Sequence, residues 1–240
     1  MPIFTEHELV PFETSPPPPG PWLVLAPHPD DEAFGLGGTL LRGKKEGVPF
    51  TIAYVTLGEA AGEPSVRQEE AMRAARALGA QEAIFFGLPD RGVYEHLDVL
   101  ALKLKKLFKQ KFKTVFTPSL FEFHPDHRAT TLAVLATAPF LCQVWLYEIS
   151  RQGEVNRLVD VSAVYREKEE VMRIYASQLA QNRYLEITRA LNLARTYTLS
   201  GVEFAEGFFA ARAGLLVRRY AAWLKKYFPS PSTGIKKSRQ

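Results

Sequence analysis

The stretch Trp22–Leu40 reads W-L-V-L-A-P-H-P-D-D-E-A-F-G-L-G-G-T-L, and the architecture of the chain follows from it. Its apolar head, Trp22 to Ala26, has the length and composition of a buried strand. Pro27 and Pro29 end that strand and hold the following residues extended. His28, Asp30, Asp31 and Glu32 stand between and after the prolines, and a helical pattern with glycines opens near Ala33 and continues through Leu36–Lys45. Strand, charged turn, helix is how an α/β sheet presents reactive groups in the crevice beyond its strand ends. Three acids and an imidazole crowded into one turn repel one another and gain nothing from packing. A divalent cation among them resolves that repulsion.

The pattern recurs further along the chain. Lys113–Thr117 reads as the fourth strand and Pro118–Phe123 as a loop. His124-Pro125-Asp126-His127 then precedes a helix over Ala129–Ala138. Between the two constellations lie a second strand at Pro49–Thr56 and a helix at Ser65–Leu78. That helix has Val66, Ala71, Ala74, Ala75 and Leu78 on one side and Gly79 as its stop. A third strand at Glu82–Phe86 and an amphipathic helix at His96–Lys111 follow, and a fifth strand covers Gln143–Ile149. Strands alternating with helices predict a mostly parallel, doubly wound, Rossmann-like three-layer α/β sheet. In the order 3-2-1-4-5, strands one and four are neighbours where the chain reverses direction, so the loops after them meet across one crevice. Neutral imidazole plus carboxylate, with no thiolate, suits a catalytic zinc that keeps one position open for water.

The alternation ends after Ser150. An edge strand at Leu158–Val161 and helices at Ala163–Leu179, Tyr184–Ala194 and Arg212–Phe228 are expected. Residues 1–20 form an extension with the prolines of Ser15–Gly20 as a stiff lead-in, residues 21–228 one domain, and residues 229–240 a flexible tail. The chain has 240 residues, 46% of them hydrophobic, enough for one domain with a sizeable core. The net charge of +4 is mild and gathers near the C-terminus, and no basic stripe interleaved with aromatics marks a nucleic-acid surface. One cysteine, Cys142, excludes an internal disulfide and, lying in an apolar run, reads as a buried inert thiol. No apolar segment reaches signal or membrane length, so a cytoplasmic enzyme is expected. The stretch R-R-Y-A-A-W-L-K-K-Y-F at Arg218–Phe228 would suit an anionic membrane, but packing on the domain or on a second copy is preferred.

H-P-D-D-E after an apolar strand, with H-P-D-H downstream, resembles the zinc-dependent N-deacetylases of the LmbE and PIG-L type. T-L-G-E at Thr56–Glu59, Arg67, Gly79, L-P-D at Leu88–Asp90, Lys168, Ser177-Gln178 and A-E-G-F at Ala205–Phe208 also match family features. The resemblance implies removal of an acetyl group from an N-acetylglucosaminyl-type sugar or conjugate. It implies one Zn2+ per chain, with Fe2+ as an alternative, held by His28, Asp31 and His127. It makes Asp30 the general base and a protonated His124 the oxyanion and leaving-group imidazole. Asp126 would orient a histidine, and Arg67 and Asp90 would grip substrate. Solvated helix arginine and turn aspartate are the plainer readings of those last two. The sequence departs from the family at Glu122, where some sugar deacetylases carry a tyrosine able to assist the oxyanion. An ionised carboxylate cannot donate there, so another donor serves, or His124 and the metal suffice.

Two other classes compete. Gly35, Gly37 and Gly38 invite a nucleotide-binding oxidoreductase, although carboxylates in the turn would repel a pyrophosphate. A non-catalytic metal-stabilised protein would bind metal without turnover.

Overall fold

The structure is a computed structural model and describes residue 6 and residues 10–227. The expected tail at 229–240 and Phe228 lie outside the described residues. Strands β1 (Trp22–Ala26), β2 (Phe50–Thr56), β3 (Glu82–Leu88), β4 (Thr114–Pro118) and β5 (Gln143–Tyr147) alternate with four helices. These are α1 (Asp31–Lys45), α2 (Pro64–Leu78), α3 (Leu97–Leu107) and α4 (Pro125–Thr137). The five strands are parallel in the order β3-β2-β1-β4-β5, as the alternation predicts. Every residue of β1 is buried. Trp22, Val24 and Ala26 enter the core on one face of the sheet, and Leu23 and Leu25 the core on the other. An unbroken apolar run is therefore what a central strand covered on both faces requires. β1 lies between β2 and β4, so the charged turns that follow β1 and β4 are adjacent.

After β5 come β6 (Arg157–Asp160), α5 (Tyr165–Met172), α6 (Ala176–Leu179), α7 (Tyr184–Ala194), β7 (Ala205–Arg212), α8 (Ala213–Arg219) and α9 (Ala221–Tyr227). The sheet extends to β3-β2-β1-β4-β5-β7-β6, with β7 antiparallel to both its neighbours. The edge strand falls where expected. β7, however, has no strand-like sequence, because Glu206 and Gly207 interrupt it, and the long helices expected on either side are each broken, at Tyr175 and at Tyr220. Leu216 and Leu224 pack into the core, which agrees with packing on the domain, and no helix among the described residues is long and apolar enough to cross a membrane.

α1 shows why its glycines are there. A Cβ on Gly35 would stand 2.5 Å from the Tyr147 ring, and one on Gly38 would stand 2.6 Å from Val161. The glycines let the helix lie close against the sheet, and no nucleotide is needed to explain them. The helix breaks at Leu36, and the amides of Gly38 and Thr39 donate to the buried Glu206 carboxylate at 2.8 Å each. Lys168, itself fully buried, donates to Glu206 (2.7 Å) and to the Phe34 carbonyl (3.0 Å). These bonds satisfy the groups that the break would otherwise orphan. On α2 Ala71, Ala74, Ala75 and Leu78 face inward as predicted, but Val66 is 44% exposed, and Arg67 and Glu70 point inward in its stead. Two charged residues on the buried side mean that this helix serves a polar site as well as the core.

Candidate metal centre

The turns after β1 and β4 bring His28 Nδ1, Asp31 Oδ2 and His127 Nε2 to one point. The three atoms form a nearly equilateral triangle with edges of 3.2, 3.3 and 3.3 Å. Ligand atoms about 2.0–2.1 Å from a tetrahedral ion stand about 3.3–3.4 Å apart, so the triangle has the dimensions of one face of such a site. His124, Asp90 and Asp126 also offer atoms in the neighbourhood. The two aspartates are already engaged, and the tighter triangle is the better ligand set. All three of its residues are buried. Asp31 is held well below the usual carboxylate range: burial pushes its pKa up, but the charges and hydrogen bonds of His127 and His28 outweigh that. For His127, burial acts to lower the pKa and Asp31 overrides it, giving about 9. The cluster is thus a buried charge arrangement in which a dication can replace protons.

The remaining ring nitrogens show how the histidines are aimed. His28 Nε2 stands 3.2 Å from Asp90 Oδ1 and 3.4 Å from Asp126 Oδ2, so carboxylates orient the ring from the side opposite the triangle. Asp126 is fully buried and accepts the amides of Arg91 (2.6 Å) and Val93 (3.2 Å). Asp90 accepts the Ala60 amide at 3.0 Å and is held down to about 2; burial alone would raise it, and the hydrogen bond and charge of His28 prevail. Asp90 borders the cavity, but it also braces a histidine, which the turn-aspartate and substrate-gripping readings both omit. His127 Nδ1 is buried without a hydrogen-bond partner, and Glu122 Oε2 lies 3.9 Å from it.

Glu122 explains the departure noted in the sequence. Its carboxylate is fully buried and accepts the amides of Ile149 (2.8 Å) and Ser150 (3.1 Å) and the Ser150 hydroxyl. It pins the loop after β5 and does not face the cavity, so its inability to donate has no bearing on an oxyanion. Tyr175 and Glu32 form a similar buried brace: the tyrosine hydroxyl donates to Glu32, which also accepts the Asp30 amide at 3.3 Å. No sequence signal marks Tyr175, because its partner lies across the fold.

Asp30 stands apart from the ligand triangle. Its backbone has φ 123°, a left-handed conformation that a non-glycine residue adopts only under constraint. Arg67 supplies that constraint. Its guanidinium donates to the Pro29 carbonyl (2.6 Å), the Gly58 carbonyl (2.9 Å) and Asp30 Oδ2 (3.1 Å). At 2% exposure it is no solvated arginine: three of its hydrogen bonds hold the loop, while its Nε is without a partner and the residue borders the cavity. Gly58 lies flat against it: a Cβ there would meet the guanidinium at 2.3 Å. Burial and the charge of Asp31 raise Asp30 to about 8, and Arg67 offsets only part of that.

His124 caps α4, its Nδ1 accepting the Asp126 amide at 3.2 Å. Burial, then His28 and His127, lower its pKa to about 4. A neutral ring with Nδ1 as acceptor carries its proton on Nε2. Asp30, the metal triangle and His124 all border one cavity of about 510 Å3, the size of a small-molecule site. Cys142 is remote from it, buried, its thiol pushed up to about 11, as an inert thiol should be.

A mixed, mostly parallel α/β sheet with a His-Asp-His cluster at its switch point, opening on a ligand-sized cavity, is the arrangement of a metal-dependent α/β enzyme. The chain belongs to the PIG-L, LmbE-like deacetylase family: residues 23–138 match the family model "PIG-L: GlcNAc-PI de-N-acetylase". It is 29% identical over 201 residues to a probable N-acetyl-alpha-D-glucosaminyl L-malate deacetylase 2 of Bacillus anthracis, covering 73% of this chain and 85% of the relative. A conserved protein from Thermus thermophilus superposes with a TM-score of 0.70 at 30% identity, covering 78% of this chain and 93% of that one. The N,N'-diacetylchitobiose deacetylase of Pyrococcus horikoshii superposes with a TM-score of 0.72 at 22% identity, covering 88% and 87%. The family is metal-dependent, and the cluster described above could hold its ion.

Proposed function

We propose that the chain is a cytoplasmic, zinc-dependent N-deacetylase of an acetamido sugar or its conjugate, releasing acetate and the free amine. The observation that carries this is the ligand-sized triangle of His28, Asp31 and His127 with Asp30 held beside it, outside the ligand set. Sugar-deacetylase relatives supply the substrate class, and their names are the support for an N-acetylglucosaminyl group.

His28, Asp31 and His127 would hold the cation, which when bound would polarise the amide carbonyl and bring the pKa of a water down to about 7. Asp30 is the base that takes the water proton. Arg67 occupies its Oδ2, which fixes the carboxylate and leaves Oδ1 as the acceptor. As the water oxygen adds to the carbonyl carbon and its proton leaves for Asp30, the Nε2–H of His124 would donate to the oxygen that gains charge. A donor so placed is typically worth about 3 kcal/mol of transition-state stabilisation. As the C–N bond breaks, the proton on Asp30 passes to the leaving nitrogen. Water and amide are thus converted to carboxylic acid and amine, the acid's proton passes to the amine to give carboxylate and ammonium, and Asp30 returns to its starting state. Asp90 and Asp126 hold His28 still throughout.

The test is acetate release from N-acetylglucosamine, its glycosides and N,N'-diacetylchitobiose by zinc-loaded protein and by the same protein stripped with a chelator. Turnover that vanishes on stripping and returns with zinc supports the proposal. Stoichiometric zinc with no turnover on any acetamide would favour the non-catalytic alternative.

A further inference from the structure

The wall of the cavity is polar in one part and mainly apolar in another. On the β2–β3 side of the triangle its wall is polar: Asp90 and Arg91 follow β3, and Ala61 and Gln178 lie beside Arg67, the Gln178 amide donating to the Ala61 carbonyl at 3.2 Å. The rest of the wall is mainly apolar: Phe123 follows β4, Ile149 follows β5, and Phe34, Tyr184 and Ile187 join them, with Ser150 and Thr188 as polar members. α7 carries Tyr184, Ile187 and Thr188, and its C-terminal end is moored on the β5 side of the sheet. Gln152 of the loop after β5 donates to the Leu191 carbonyl (2.9 Å), and Arg195, at the end of α7, donates to Glu148 (2.9 Å).

The apolar wall is unusually open. Tyr184, Ile187 and Phe123 are 37%, 46% and 66% exposed, yet all three line the cavity that holds the metal triangle. Tyr184 stands edge-on against the buried Phe34 ring at 5.5 Å between centroids. Apolar side chains left exposed around a pocket are the face a ligand covers.

The scissile amide has two unlike ends. Its nitrogen carries a sugar, whose hydroxyls need hydrogen-bond partners, and its carbonyl carries an alkyl group, which needs none. With the carbonyl at the triangle, the sugar matches the Asp90–Arg91 part. The alkyl end falls on the Phe34–Tyr184–Ile187 part. An acetyl methyl would leave most of that wall uncovered. We propose that the apolar part of the wall, formed by Phe34, Tyr184 and Ile187 with Phe123 and Ile149, is an acyl-chain subsite that takes N-acyl groups longer than acetyl. The inference rests on the deacylase reading above and extends it from acetyl to a medium alkyl chain.

The experiment compares kcat/KM of zinc-loaded protein on glucosamine N-acylated with acetyl, butyryl and hexanoyl groups. A second arm uses the hexyl glycoside of N-acetylglucosamine, where the same alkyl length sits at the other end of the substrate. The expected result is a rise of about threefold to fourfold for each added methylene of the acyl group, the effect of burying one CH2. Ile187→Asp should lower the hexanoyl-to-acetyl ratio at least tenfold without a change in unfolding temperature. Leu102→Asp, on α3 and outside the cavity, should leave that ratio alone. A hexanoyl-to-acetyl ratio at or below one, or a ratio indifferent to Ile187→Asp, overturns the subsite. So does a gain on the hexyl glycoside that Ile187→Asp removes, which would make the wall an aglycone face. Should no member of the series turn over, acetyl included, the deacylase reading fails. The subsite is then decided by unfolding temperature in hexanoate against acetate: a larger shift with hexanoate, abolished by Ile187→Asp, supports it, and equal shifts overturn it.

Discussion

The tripeptide His-Pro-Asp occurs twice, at His28–Asp30 and at His124–Asp126, each time between a strand end and a helix start. The two copies do opposite work. Asp30 sits at φ 123°, borders the cavity and is raised to about 8, while Asp126 is fully buried and accepts two backbone amides. His28 points one nitrogen into the triangle and the other at two carboxylates, and its pKa is raised well above the ordinary value: those carboxylates and Asp31 outweigh the burial that acts to lower it. His124 gives one nitrogen to a helix cap and is lowered to about 4 by burial and its histidine neighbours. On the proposed mechanism, identical local sequence thus yields base and scaffold, ligand and donor. What separates them is which neighbours the fold supplies: Arg67 beside Asp30, and the amides after Asp90 beside Asp126.

Substitutions at the two copies put this contrast to the test. The largest effect is expected at the adjacent aspartates of the first copy. Asp31→Ala should purify with little zinc and no activity. Asp30→Ala should keep stoichiometric zinc while its rate falls by about 10²–10⁴-fold, beyond rescue by added metal. Zinc per chain measured beside acetate release decides between them, and the opposite pattern would reverse the assigned roles. Next comes Asp126→Asn, expected to weaken zinc binding by about 10- to 100-fold through loss of the carboxylate behind His28. Unlike Asp30→Ala it should recover activity in excess zinc, and failure to recover would give Asp126 a direct part in the chemistry.

Arg67→Lys should reduce kcat by about tenfold, the equivalent of one charge-assisted hydrogen bond, with KM little changed. A raised KM at normal kcat would return Arg67 to gripping the substrate. The smallest effect is on stability. In metal-free protein His127 is raised to about 9 against an ordinary 6.5, so the stability it contributes is present below pH 6.5 and lost as pH climbs toward 9. Asp30, raised to about 8 from 3.8, works in the same direction, its ionisation costing stability as pH rises from about 4 to 8. The unfolding temperature of stripped protein should therefore fall between pH 6.5 and 9. The increment given by added zinc should grow over the same interval, because the ion needs deprotonated ligands. A zinc increment that shrinks with pH would contradict the assigned ligand set.

Much of the molecule was legible without coordinates. β1 and α7 lie at the predicted residues, and the five-strand order followed from alternation alone, because a strand buried on both faces must be apolar throughout. β7 escaped notice because Glu206, inside a strand, is there to accept the amides freed by the break in α1 and to meet Lys168. Only a partner remote in sequence makes a buried carboxylate sensible in that position. Val66 and Arg67 were exchanged for a related reason: helical periodicity places apolar residues inward, and here the inward arginine has carbonyls of two other loops to satisfy it.

The α/β class, the strand order at the centre of the sheet and the types of residue at the site were all written in the chain. Those follow from periodicity and from the repulsion among charges crowded into two short turns. Packing in three dimensions decided which of two like aspartates is exposed to the cavity, which nitrogen of each histidine is free, where Arg67 and Glu122 point, and which parts of the cavity wall are polar and which mainly apolar. Each of these depends on atoms that come within about 3 Å only after chain segments far apart in sequence have packed, and at that range a single neighbour sets the charge, the tautomer and the direction of a side chain.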